Sequence, residues 1–444
     1  MLPPGSKIPR LIQLYYFAKN PFKFFEKQRQ QFGSAFTISL PFERPIVMIS
    51  DPQLMAQLMN MESDDFPPYP ANRWTTPLFG QESMLFKVGD SHRKHRKVMK
   101  PHLSNEASMR IRKTLNEQAV DYLKSQESND VLAYEWSMKY MTKTSLANLL
   151  GLKDSEIVEQ FDRTVLKARK RYSSFINLSM DAYACCEDYP KWLTMLAKLK
   201  QNHAKRNLIA EEFNSIITRH LDDAKKNNID LSNTVLKKYV ELNKADKLNK
   251  LELYASIMTL LIAGFDPAAL ITSRLLLVLS EQPDLQTKIR NELLEHGESL
   301  NLKACIKETM RLYPPLYAVT RTAQKQFRLG SYEIPAGTHL FGCIFLMHRE
   351  EKYWPNPTEF DHKRFMRSES IPDIEQGFMP FGGNKRICPG RYYGDTAIES
   401  ILSETLKSYQ ILRTTSSSSS EVINCFGPSL SCDENARVKL KLVN

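Results

Sequence analysis

Residues 251–279 form the longest apolar run in the chain, centred on Ile257-Met258-Thr259-Leu260-Leu261-Ile262-Ala263-Gly264-Phe265-Asp266-Pro267. A run of this length reads as one long helix. A membrane span would have to bury Asp266 and Arg274, each costing about 2.5–3.5 kcal/mol near the bilayer centre, and would carry a proline at mid-span. A buried helix crossing a large soluble core fits better. The composition agrees: 444 residues, 42% hydrophobic and 25% charged, are ordinary for a globular protein with a sizeable core. No linker or repeat divides the chain, so one domain over residues 1–444 is expected. Pro267 has no N–H to donate, so the carbonyl of Ala263 should be left free and the helix should kink there.

A second feature concerns chemistry. The seven cysteines are odd in number and scattered, and the chain opens Met1-Leu2-Pro3-Pro4-Gly5 with no secretory leader, which suits a reducing, cytoplasmic compartment. A lone cysteine is most often a buried, inert one, and a structural zinc site needs about four close Cys or His ligands. The surroundings of Cys388 suit neither reading. It lies in Phe381-Gly382-Gly383-Asn384-Lys385-Arg386-Ile387-Cys388-Pro389-Gly390, where the glycines and Asn384 can take positive φ in a tight turn. Pro389 and a helical pattern over 392–409 place Cys388 at a helix N-terminus. The helix dipole and Arg386 should then lower the thiol pKa, and a thiolate is a strong ligand for haem iron.

This stretch resembles the haem-binding loop of the cytochrome P450 family, Phe-Gly-x-Gly-x-Arg-x-Cys-x-Gly, at every fixed position but Asn384. Asparagine is the residue that best replaces glycine at positive φ. The resemblance implies a mainly α fold with a smaller β-rich part (α+β), a triangular helical prism holding haem b between the long central helix and the cysteine loop. The β-rich part would cover about 30–65, 320–350 and 410–444, and the helical part about 90–315 and 390–410. Cys388 would be the axial iron ligand, Phe381 would pack near the sulfur and Arg386 would pair with a haem propionate. His92 and Arg96 stand four apart on one helix face, where both can reach one anion; with Arg321 they match the family's other propionate ligands.

The resemblance extends to three further groups of residues. Glu308-x-x-Arg311 alone is an ordinary helix pair worth a few tenths of a kcal/mol. Followed by Arg364, it is similar to the family's buried ion network. The central helix of the family carries Ala/Gly-Gly-x-Asp/Glu-Thr, where acid and threonine help deliver protons to oxygen; here Gly264 and Asp266 are present and Pro267 replaces the threonine. The pocket would be lined by Trp74, Phe79 and Phe86 from the long loop over 64–90, by Ile262, Ala263, Tyr317 and Val319, and by Phe426.

The function so implied is a haem-thiolate monooxygenase that oxidises a lipophilic small molecule with O2 and two electrons. Pro267 makes a peroxide-dependent or hydroperoxide-rearranging enzyme an alternative, and a non-catalytic haem or ligand carrier is a second. No flavin or iron-sulfur motif occurs, so electrons must come from a ferredoxin, flavodoxin or flavin reductase. Net charge is +11 and densest at His92-Arg93-Lys94-His95-Arg96-Lys97. That run reads either as a solvated helix face or as part of the partner's docking surface. No nucleic-acid signature accompanies it. With no stretch of 18 apolar residues near its start, the chain is expected to lack an N-terminal membrane anchor, as a soluble bacterial-type monomer.

Overall fold

The computed structural model describes residues 1–41, 43–61, 64–68, 75–126, 128–153, 155–172, 211–213, 215–220, 222–223, 226, 231, 233–366, 377–414, 424–426, 429–431 and 435–443. Trp74, Cys185, Cys186, the basic stretch at 198–206 and the serine run at 416–420 lie outside them, as does the side chain of Phe426.

The long apolar run folds as one helix, Lys250–Ser280. Its start is set by a capping box: Asn249 accepts from the Glu252 amide at 2.9 Å, and Glu252 accepts from the Asn249 amide at 3.0 Å. The helix continues through Pro267 without a break. By length and composition it could cross a membrane, yet it lies buried inside the protein. Helices Ala133–Ser145, Leu300–Leu312 and Arg391–Ser408 pack against it. Burial lapses at mid-length, where Ala263 is exposed and Ile262, Gly264 and Pro267 are half-buried. A helix wrapped by protein on both sides of such a lapse borders an internal cleft there.

The β-structure draws together distant parts of the chain. A four-stranded sheet runs in the order Ala35–Ile38, Ile46–Ile49, His339–Cys343, Ala318–Thr322. The first two strands form an antiparallel hairpin, and Ile46–Ile49 then pairs parallel with His339–Cys343. All four residues of Ile46-Val47-Met48-Ile49 are buried, as suits an apolar, mostly β-branched strand covered on both faces. Asp51 caps the next helix, Pro52–Asn60, accepting from the amides of Gln53 and Leu54. A three-stranded sheet joins Asp130–Leu132 and Tyr409–Arg413 to Arg437–Leu442. Asp130–Leu132 and a turn of π-helix at Leu146–Leu150 interrupt a region read as purely helical from its sequence. The stretch read as a loop over 64–90 contains a short helix, Thr76–Phe79.

Candidate active site at the cysteine loop

The loop before helix Arg391–Ser408 is closed by its own backbone: the Cys388 amide donates to the Phe381 carbonyl at 2.8 Å. Gly382 at φ 71° and Asn384 at φ 51° take the left-handed conformation, whereas Gly383 is extended at φ −145°. Glycine at 383 serves a different end, since a Cβ there would meet the Met59 side chain at 3.2 Å. Cys388 is a free thiol, half-buried, and the Gly390 amide hydrogen-bonds its sulfur.

Arg386 is not among the cations that lower the Cys388 pKa, contrary to the reading of the sequence. Burial is the largest influence on Cys388 and raises its pKa, while the cations that lower it are Arg96 and Arg391. Arg386 is otherwise engaged, donating to the Lys87 carbonyl at 2.7 Å. Burial thus outweighs the Gly390 amide and the charges of Arg96 and Arg391. A desolvated sulfur of this kind ionises when a cation binds it directly.

Four side chains converge beside the loop. Arg96, on the basic helix Gly89–Leu103, donates to the Ile387 carbonyl at 2.7 Å, next to the cysteine. Arg321 donates to the carbonyls of Thr320 at 2.8 Å and Met61 at 3.3 Å. His92 is 7% exposed, and burial followed by the charges of Arg386, Arg96, His95 and Arg321 pushes its pKa down to about 4. Three guanidiniums from three separate segments thus act on one neutral imidazole. Guanidiniums grouped in this way are suited to binding carboxylates. The basic run splits by helix face: His92, His95, Val98 and Met99 point inward, and Arg93, Lys97 and Lys100 are exposed.

On the central helix, Asp266 is 5% exposed and accepts a hydrogen bond from the buried phenol of Tyr134. A Cβ at Gly264 would lie 3.7 Å from Leu149 and 3.8 Å from Ser145, ordinary contacts that leave room for it. Ala263 and Pro267, four apart on one face, border the mid-helix cleft. Phe79 and Phe86 are buried, and Ser83 between them bonds Thr259 of the central helix at 2.8 Å. Tyr317, half-buried, packs edge-on against Phe22 of helix Pro21–Phe32 at 5.5 Å. Val319 is half-buried beside the second core.

Glu308, Arg311 and Arg364 meet in the interior. Glu308 and Arg311 are both 0% exposed and joined bidentately, with two bonds of 2.7 Å. The remaining Arg311 donors reach the carbonyls of His348 and Pro357 at 2.8 Å and Glu359 at 3.2 Å, so all five N–H groups are used. Glu308 also accepts from the Asp361 amide at 3.0 Å and from Arg364 at 3.3 Å. Sequence reasoning missed Tyr134 and His348. The available signal was weak: an isolated Tyr among helical residues, and a His-Arg pair six residues before Trp354.

Among the described residues, no group of three His, Cys, Asp or Glu side chains converges to hold a bare metal ion. A cysteine with one amide on its sulfur, a cationic cluster beside it and a cleft on the long helix instead fit haem b: one axial ligand, two carboxylates and a flat apolar body.

Comparison with known proteins gives the same family. The model of the family described as Cytochrome P450 matches residues 2–424. "Abscisic acid 8'-hydroxylase 1" of Arabidopsis thaliana is 24% identical over 410 residues, covering 88% of this chain and 81% of that protein. "Probable cytochrome P450 516B1" of Dictyostelium discoideum is 24% identical over 431 residues, covering 88% and 85%. Among solved structures, retinoic acid-bound cyanobacterial CYP120A1 superposes with a TM-score of 0.79 at 20% identity, covering 100% of this chain and 99% of that one.

Proposed function

This chain belongs to the cytochrome P450 family of haem-thiolate monooxygenases, and from that premise we propose that it hydroxylates a lipophilic small molecule, taking two electrons from a separate protein. The observation that carries the reading is Cys388, held by the Phe381 carbonyl and the Gly390 amide beside the cluster of His92, Arg96, Arg321 and Arg386. Cys388 would hold the iron and the cluster would hold the propionates. Haem b, when bound, supplies the centre at which oxygen is activated, and thiolate donation promotes O–O cleavage. The protein's part is to place the sulfur, neutralise the propionates and keep water from the apolar substrate.

The apolar character of Phe79, Phe86, Ile262, Ala263 and Val319, the residues expected to face the pocket, supports a lipophilic substrate of fatty acid, terpenoid, steroid or retinoid type. Retinoic acid in the cyanobacterial structure and abscisic acid in the plant relative's name are compatible with that class. The exposed Arg93, Lys97, Lys100 and Lys385 support docking of an acidic ferredoxin, flavodoxin or flavin reductase, steered by charge. Free Cys305, Cys343 and Cys388 support a cytoplasmic site of action.

Pro267 favours one second reading, a peroxide-dependent enzyme, because the hydroxyl that positions protons is missing at that place. Product from substrate with hydrogen peroxide, and none with a reductase system, would select it. The test of the main reading is the reduced, carbon-monoxide-bound absorption spectrum of the haem-loaded protein. A thiolate-type Soret band that disappears in Cys388→Ala is expected, and one that persists in the variant overturns the reading.

A further inference from the structure

His348 is 0% exposed and sits between the buried ion network and the cysteine loop. The Met379 amide donates to its Nε2 at 2.9 Å, and its Nδ1 lies 3.2 Å from the Arg311 carbonyl. A backbone N–H can only donate, so Nε2 is the acceptor and the ring proton belongs on Nδ1, from which it is given to the Arg311 carbonyl. Burial, then the charge of Arg311, pushes the His348 pKa down to about 3, consistent with a ring that stays neutral.

The arrangement is reciprocal. The Arg311 guanidinium donates to the His348 carbonyl at 2.8 Å while the His348 ring donates to the Arg311 carbonyl. That carbonyl belongs to the last turn of helix Leu300–Leu312, where backbone acceptors have no partner within the helix. The neighbouring Arg349 donates to the next such carbonyl, Leu312. On its other side His348 stacks on Phe378, ring centroids 5.3 Å apart, and holds Met379 two residues before Phe381, whose carbonyl closes the cysteine loop.

We propose that His348 is a positioning residue that couples the Glu308–Arg311 network to the cysteine loop, fixing Met379 and through it the Phe381–Cys388 turn that aims the sulfur. The proposal deepens the haem-thiolate reading and rests on it for the role of Cys388. An imidazole is suited to the task because it spans a carbonyl and an amide at once, accepting from one and donating to the other. Glutamine keeps an acceptor at the Nε2 position, and leucine keeps only the bulk.

The test compares His348→Gln and His348→Leu with the parent protein, by amide hydrogen exchange over residues 379–388 and by the Soret band of the reduced carbon-monoxide complex. His348→Leu is expected to speed exchange of the Met379 amide about tenfold or more and to convert part of the thiolate-type band to the thiol type. His348→Gln is expected to recover most of both. Unchanged exchange and an unchanged band in His348→Leu overturn the proposal, and so does a glutamine variant no better than leucine. If neither variant folds, nitrogen-15 shifts of the parent decide: a neutral Nδ1–H tautomer constant from pH 5 to 8 supports the bridge, and the other tautomer or a titrating ring overturns it. A parent protein without any thiolate band would sink the haem-thiolate reading, while exchange and tautomer would still report on His348.

Discussion

Replacing Arg311 by lysine keeps the charge and most of the length and so isolates the value of the guanidinium fork. Arg311 uses five N–H groups on five acceptor contacts: two with the Glu308 carboxylate and one each with the carbonyls of His348, Pro357 and Glu359. An ammonium has three. At least two buried acceptors are therefore left without a donor, at about 1–3 kcal/mol each. Loss of bidentate pairing with a fully buried Glu308 takes the expected cost of Arg311→Lys to about 3–5 kcal/mol, in line with breaking a buried pair. Against a total stability of about 5–15 kcal/mol that is a large fraction. Equilibrium urea unfolding followed by far-ultraviolet circular dichroism measures it. Trp354 gives a local reading, because the Arg311 guanidinium lies 5.2 Å from the centre of its ring. A loss below about 1 kcal/mol, with Trp354 emission unchanged, would refute the claim that geometry rather than charge holds this network.

Pro267→Thr should raise the product formed per electron pair consumed, measured with a ligand that shifts the spin state; unchanged coupling counts against a role for the missing hydroxyl. His92 has a folded pKa of about 4 against 6.5 when unfolded, so its contribution to stability is complete above pH 6.5 and is lost as pH falls from 6.5 towards 4. Its loss is expected to total about 3 kcal/mol. It is read as the difference between parent and His92→Asn in urea unfolding of the haem-free protein across that range, and parallel pH curves would rule it out. Asn384 sits at φ 51° and bonds Asn60 at 2.5 Å on the surface. Asn384→Gly should change stability by less than about 0.5 kcal/mol, whereas Asn384→Val should cost about 1–3 kcal/mol, since β-branched side chains resist positive φ. Equal midpoints for the two variants would show that the φ requirement is wrong.

Local chemistry was legible in the sequence wherever a residue type has few alternative uses. The cysteine loop could be read because positive φ at Gly382 and Asn384 calls for those residues, and the central helix because 29 largely apolar residues have few other homes. The pairings that give the site its properties were not legible. Nothing local says that Tyr134 reaches Asp266 across 132 residues, or that Arg386 turns to the Lys87 carbonyl 299 residues away. The error over the Cys388 thiol has the same origin. Dipole and neighbouring charge can be read along a chain, but desolvation is set by what packs around the sulfur, and it is the larger influence.

The parallel pairing of Ile46–Ile49 with His339–Cys343 has a consequence for biosynthesis. Those two strands are separated by roughly 290 residues, which a ribosome takes about 15–60 s to produce at about 5–20 residues per second. Throughout that interval the early hairpin offers an unfilled edge of Ile, Val and Met to any passing nascent chain. A transcript truncated anywhere upstream of His339 would leave it permanently unsealed, a target for chaperones and proteases.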